Sequence, residues 1–315
     1  MKGKLLLLTA LAAVSFAVRA ETERSTPGAE AEPEEAALLE KDDGEPILWG
    51  FGNYGFYSGY MLYGSIVNTE PTLQGYIEVN ARLPFKVGPL DDLGSLGVGY
   101  WNNSDLTGKR NASYRRAFNE NDPNVHWCKT FWFDDARTWG LDYRTAVVWY
   151  YYPHTGHRPN TKTTMDWNHS FALRNPYVIP FLDVVHEYEQ TDANLLQFGL
   201  RRPFQVLDGL TIEPSATFVW RNRKYGWCFS NFGRDANGET LGSSLATMRL
   251  QLDVTYMFTD NIGVFAKVAY CQNLDPDLRD ACSDVCGNPE RNPRGDIYGR
   301  YNEFCWGGVG LCIAF

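Results

Sequence analysis

From about residue 54 to the end of the chain, apolar and polar residues alternate with a period of two. In Leu73–Leu83 the odd positions are Leu, Gly, Ile, Val, Ala and Leu, and the even ones Gln, Tyr, Glu, Asn and Arg. Ala246–Tyr256 repeats the pattern with opposite parity, and Leu210–Trp220 follows it with Pro214, Ala216 and Phe218 on the apolar side. A helix would repeat near 3.6, so these are strands with one apolar face. Twelve such runs are expected, near 54–66, 72–84, 93–103, 126–134, 140–153, 161–174, 177–191, 192–205, 209–225, 243–258, 261–273 and 302–315. The fourth is the weakest, because residues 127–133 alternate poorly.

The connections alternate as well. Those at 85–92, 136–139, 175–176, 206–208 and 259–260 are short, whereas 104–125, 226–242 and 273–300 are long. Outer-membrane barrels have an even strand number, with short turns at one end and longer loops at the other. Twelve strands put every long loop on one side; eleven would not. The fold class predicted is therefore all-β, a closed antiparallel transmembrane β-barrel of about 12 strands. The last strand supports it: Val309, Leu311, Ile313 and Phe315 alternate with Gly308, Gly310, Cys312 and Ala314, and Phe315 ends the sequence as an assembly signal. A soluble sandwich would hide such faces between two sheets. Its strands average five to six residues, about half of what is seen here. Aromatic residues such as Tyr57, Trp101, Trp149, Trp220, Tyr256 and Tyr270 gather at strand ends, as interfacial girdles do.

Composition narrows the class further. The 315 residues have a mean hydropathy of −0.36, and only residues 5–18 form a long apolar run. A helical membrane bundle needs several runs of roughly 20 apolar residues. The run follows Lys2 and Lys4 and ends at Val18-Arg19-Ala20, so residues 1–20 read as a secretory signal peptide. That leader contains three bases and no acid, so its removal takes the formal charge from −9 to −12. An acidic chain with no basic patch is a poor partner for nucleic acid. Residues 21–45 carry ten acids and two bases with few bulky apolar groups, the composition of a flexible periplasmic tail. Residues 46–315 are left for the barrel.

Ser58-Gly59-Tyr60-Met61-Leu62-Tyr63-Gly64, Gln74-Gly75 and Gly97-Val98-Gly99-Tyr100-Trp101-Asn102 resemble the N-terminal half of the TorF-like family of bacterial porins. Tyr150-Tyr151-Tyr152-Pro153 and Leu173-Arg174-Asn175-Pro176 are similar to its middle hairpins. The resemblance covers about residues 55–315. It implies a barrel of porin type in the bacterial outer membrane and carries over no catalytic residue. The Cys-rich loops and the acidic tail depart from the family.

If the apolar faces meet lipid, the polar faces line the lumen. These bring Glu78, Asp142, Asp166, Asp183, Glu187, Glu189, Glu213 and Asp253 to the same interior as Arg82, Arg144, Arg201, Arg221, Arg223, Arg249 and Lys267. Inside a closed wall such charges must face water or pair, because burying them alone is very costly. Glu213 with Arg201 is one expected pair. Arg221, Arg223 and Arg249 are expected to cluster near the outer part of the lumen. Eight strands give a filled interior and 16–18 a channel; twelve lies between.

Six cysteines, Cys128, Cys228, Cys271, Cys282, Cys286 and Cys305, fall in or beside the long loops, where export permits disulfides. Cys271 with Cys305 is the first expected pair, completed by Cys128 with Cys228 and Cys282 with Cys286, leaving Cys312 as a thiol. Cys282-x-x-x-Cys286 has no histidine nearby, so no metal is expected, and no cofactor motif is seen. His154 and His157 lie in a loop. His169 interrupts an apolar face, and Ser170, next in sequence, points to the other face, so no Ser-His catalytic arrangement is expected.

Two functions fit: a porin-like barrel passing ions or small polar solutes, or a structural or adhesive barrel with disulfide-braced outer loops and an occluded lumen. Outer-membrane lipids and the barrel-assembly machinery are the partners implied; the oligomeric state is not legible.

Overall fold

A computed structural model describes residues 47–63, 65–68, 71–83, 93–106, 120–151, 163–189, 192–224, 242–276, 279 and 302–315. The strands are β1 (Leu48–Tyr57), β2 (Tyr60–Leu62), β3 (Ser65–Asn68), β4 (Thr72–Arg82), β5 (Ser95–Asp105), β6 (Glu120–Trp132), β7 (Gly140–Tyr151) and β8 (Thr163–Arg174). They continue with β9 (Ile179–Glu187), β10 (Ala193–Arg201), β11 (Phe204–Leu207), β12 (Leu210–Arg221), β13 (Ser244–Met257), β14 (Ile262–Asn273) and β15 (Glu303–Ala314). All pairings are antiparallel neighbours in chain order, and β1 pairs with β15, which closes the sheet. β10 and β11 both pair with β12 and form one wall strand interrupted at Arg202-Pro203. With β2 and β3 set apart as a separate hairpin, the wall has twelve strands. The signal-peptide and acidic-tail segments lie outside the described residues.

The wall is inside out relative to a soluble protein. Val98, Val309 and Leu311 are 56%, 57% and 60% exposed, whereas Glu78 and Arg221 are 6% and 2% exposed. Because successive side chains on a strand point to opposite faces, the apolar members of each run lie outside and the polar members inside. A bilayer accepts only this arrangement: every backbone donor is paired within the wall and the outer face is hydrocarbon.

The short turns are built by side chains that take over backbone donors. Asn175 Oδ1 accepts from the amides of Tyr177 and Val178 at 2.9 and 3.1 Å, an Asx turn. Asp134 Oδ1 does the same for Thr138 and Trp139. At the β13–β14 turn Thr259 Oγ1 caps the Ile262 amide, and Asn261 Nδ2 reaches across to Ala314 O at 2.8 Å. That last bond ties the final strand to its neighbour close to the seam.

Two runs are corrected. The first wall strand is Leu48–Tyr57, not 54–66. Tyr60–Asn68 is extended, as its sequence suggests, but it forms the β2–β3 hairpin and is no part of the wall. The fourth wall strand begins at Glu120, six residues before the expected start at 126. There the inner face is polar without a break (Glu120, Asp122, Asn124, His126), while Asn121 and Pro123 dilute the outer one. The parity of the connections is unchanged by either shift.

Phe315 lies at the seam. Its amide donates to Gly50 O at 3.0 Å, and the Gly50 amide donates to Phe315 O at 2.7 Å. The Phe315 ring covers Gly50, where a Cβ would sit 2.5 Å from Phe315 Cζ and closer still to the Glu78 carbonyl. Gly50→Val is therefore expected to lower the folded fraction several-fold, measured as the fast-migrating band on unheated detergent gels. Unchanged yield would show that this contact does not govern closure.

Candidate functional site

The lumen is the site, and its lower half is a set of paired charges. At the short-turn end Arg174 Nε donates to both Asp142 oxygens at 2.9 Å, and Thr130 Oγ1 donates to Asp142 Oδ1 at 2.7 Å. Arg201 Nη1 lies 3.3 Å from Glu213 Oε2, and Lys267 Nζ 3.3 Å from Asp253 Oδ1. The Glu213–Arg201 pair is the one expected from the sequence. Arg82 lies over the Trp49 ring, 5.9 Å from its centroid.

At mid-height Arg144 Nη1 donates to Glu78 Oε2 at 3.0 Å, and Arg144 Nη2 donates to Tyr76 Oη at 3.1 Å and to His126 Nδ1 at 2.9 Å. With Nδ1 accepting, the proton of a neutral His126 is on Nε2, which donates to Asn80 Oδ1 at 2.8 Å. Asn80 Nδ2 then donates to Glu78 Oε1 at 2.9 Å. Gly97 makes room for this ring of partners, since a Cβ there would meet the His126 imidazole and the Asn80 amide. Asn80 was expected on the lumen face from its parity; His126 was not among the expected site residues, and the polar alternation of Glu120–Thr130 carried its signal.

The upper half, toward the long loops, is crossed by the β2–β3 hairpin. Its root is fixed beside the seam: Trp306 Nε1 donates to Gly59 O at 2.8 Å and the Ser58 amide to Gly307 O at 2.8 Å. Tyr60 packs on Trp101 with ring centroids 5.6 Å apart, and Met61 Sδ is 3.3 Å from Cys271 Sγ. Tyr63, at the tip, has φ +48°, an unusual conformation for a bulky residue. Its carbonyl accepts from Thr247 Oγ1 at 3.1 Å, and its side chain packs against the buried Val185, Ala193, Leu195 and Val219. These four sit on β9, β10 and β12, across the barrel from β1. They form an apolar socket on a largely polar inner face. The Tyr63 hydroxyl also hydrogen-bonds Tyr150 on β7. The first connection thus runs from one wall to the opposite one.

Several expected positions move. Arg223 and Glu189 lie past the ends of β12 and β9 and are exposed at the rim. Arg221 is buried with Nη2 3.6 Å from Asp275 Oδ2. Arg249 pairs in register with Thr217, four residues below Arg221, about 13 Å along the strand at ~3.3 Å per residue. Arg249 acts instead on Asp183. The three arginines therefore form no cluster. Glu187, on the inner face of β9, accepts from Thr164 Oγ1 at 2.6 Å.

The cysteine pairing is also corrected. No disulfide joins two of the described cysteines. Cys271 is level with Phe304, and Cys305 with Tyr270, so the two thiols lie on opposite faces of the β14–β15 pair. Cys271 is buried in the lumen and Cys305 exposed outside. Cys128 is level with Ser95, in the short-turn half, because β6 starts earlier than expected. Cys228, Cys282 and Cys286 lie outside the described residues, as do His154 and His157.

No family model and no curated protein matches the chain. Among solved structures, it is similar to the NanC porin at 11% identity, over 84% of this chain and 98% of that one, with a TM-score of 0.46. An outer-membrane channel from Pseudomonas putida F1 matches at 10% identity over 91% and 100% of the two chains, TM-score 0.44. Outer membrane phospholipase A from Escherichia coli matches at 11% over 84% and 92%, TM-score 0.42. His169 is on the outer face, where its Nδ1 is 2.8 Å from the Tyr143 hydroxyl. Ser170 hydrogen-bonds Asp183 on the inner face, so the two cannot act together on one substrate.

The Arg144–Glu78 pair is buried on both sides. Removing one partner of such a pair costs about 3–5 kcal/mol, because the other is left uncompensated. Arg144→Met should therefore lose that much in chemical unfolding in detergent micelles, and adding Glu78→Gln should return part of it. A double variant whose loss equals the sum of the two single losses would show that the two groups are not coupled.

Proposed function

We propose that this chain is a restricted porin-like channel of the bacterial outer membrane, passing ions or small polar solutes. The observation that carries the reading is the hairpin held across a charged, polar lumen. Here apolar side chains on the inner face are confined largely to the hairpin's seat and to the Tyr57–Trp306–Phe265 group beside its root. Inner polar atoms of Asp122, Asp166, Asn168, Thr217 and Arg221 have no hydrogen-bond partner. Buried polar atoms without partners require water, so the reading is of a hydrated path narrowed at one level. Transport is passive, with selection by aperture and by the charges along the wall.

We infer further that the chain is a relative of the TorF-like porins, exported by residues 1–20. The barrel-assembly machinery would read its closing Phe315 strand, and the long loops would face outward. The structural or adhesive reading is kept as the competing outcome of the same experiment. In planar bilayers the wild type should give small unitary conductance steps. Replacing residues 60–68 by a short Gly-Ser link should raise the unitary conductance two-fold or more, because it removes the crossing. Tyr63→Ala should raise it less, by loosening the tip from its socket. Absence of conductance in all three proteins would overturn the channel reading in favour of the adhesive barrel.

A further inference from the structure

The inner charges of the wall are not evenly compensated. In the lower and middle lumen, each carboxylate discussed above has a cation: Glu78 has Arg144, Asp142 has Arg174, Glu213 has Arg201 and Asp253 has Lys267. In the long-loop half, away from the Arg221–Asp275 pair, two carboxylates differ. Asp122 on β6 and Asp166 on β8 face inward on either side of Tyr150 and Val148 of β7. Glu120 stands two residues from Asp122, and Glu187 is level with Asp166 in the β8–β9 register. The charges acting on Asp122 are those of Glu120 and Asp166, and the charge acting on Asp166 is that of Glu187. All of them are negative.

Asp122 supplies the second observation. It is 6% exposed, its Oδ1 has no hydrogen-bond partner, and it forms no ion pair among the described residues. Asp166, 3% exposed, has one oxygen in the same condition. Both act electrostatically on Tyr63 at the hairpin tip, whose seat at Val185 is level with Asn168, two residues from Asp166, so the two acids line the lumen beside the crossing. Like charges held together away from bulk water are strongly unfavourable unless a proton or a counter-cation neutralises them. No three described His, Cys, Asp or Glu side chains converge tightly enough to chelate a bare metal ion. Asp122 is level with Tyr150 and Asp166 with Val148, so their Cα atoms are two strands and two residues apart, about 12 Å at ~4.8 Å per strand and ~3.3 Å per residue, with both side chains directed inward. That spacing suits an ion that keeps its water shell, as Mg²⁺ does by preference.

We propose that Asp122 and Asp166, with Glu120 and Glu187 beside them, form an outer-sphere site for a hydrated divalent cation beside Tyr63. The site deepens the channel reading, since any ion passing the hairpin would meet it, but occupancy does not require conduction. The test is thermal unfolding of the full mature chain in detergent, titrated with MgCl₂ against NaCl at matched ionic strength. A ligand that binds only the folded state raises its stability in proportion to occupancy. Wild type should show a saturable rise in Tm with MgCl₂ beyond that with NaCl. The double variant Asp122→Asn, Asp166→Asn should start more stable and show no excess rise. Hexaamminecobalt(III), whose ligand shell does not exchange, should reproduce the Mg²⁺ effect on wild type. This arm holds even if the variant does not fold. An equal response to both salts, or no response to hexaamminecobalt(III), would overturn the site. Conductance without excess stabilisation would remove the site and leave the channel; stabilisation without conductance would do the reverse.

Discussion

Everything in this barrel follows from the requirement that no backbone amide be left unpaired in hydrocarbon. A flat sheet of these strands would have two open edges, each a row of unsatisfied donors and acceptors. Pairing β1 with β15 removes both. Once the sheet is closed, each strand has an inside and an outside, and the period of two in the sequence becomes a partition between lipid and lumen. The Gly50–Phe315 contact is where that condition is met last along the chain. Its reciprocal backbone bonds and its ring lying on a residue without a Cβ are the local form of a global constraint.

Closure also explains the chemistry of the interior. Charged groups facing inward cannot reach bulk water freely, so they are organised into pairs and relays: Arg144 with Glu78, Tyr76 and His126, and Arg174 with Asp142 and Thr130. Several of these link strands that are not neighbours. Glu78 and Arg144 are three wall strands apart, so the pair braces the wall against flattening as well as neutralising charge. Asp122 and Asp166, beside Tyr63, break this rule of local compensation.

Much of this was legible because a period of two needs no long-range information. Leu73–Leu83 and Ala246–Tyr256 assign their own faces, and the lengths of the connections count the strands. The Arg201–Glu213 pair could be anticipated from parity alone. What escaped was whatever depended on a distant surface. Tyr60–Asn68 is as strand-like as any wall segment; only the apolar patch of Val185, Ala193, Leu195 and Val219, more than a hundred residues away, makes it a crossing hairpin. Those four residues break the inner polar pattern, and that break was the available signal. The Glu120–His126 stretch was lost for the opposite reason, since Asn121 and Pro123 blur its outer face. Cys271 and Cys305 illustrate a one-residue offset in register, which moves a side chain to the other face.

The hairpin follows β1 directly, and its anchors are remote in sequence: Gly59 with Trp306, Met61 with Cys271, Tyr63 with Thr247. Contacts of such separation form late, because the loop-closure entropy must be met before they contribute. Yet the hairpin lies inside a wall whose closing strand carries one of those anchors. The anchorage of the hairpin is therefore complete only once β15, which carries Trp306, lies beside β1. The strand that closes the wall is also the one that fixes the root of the first connection.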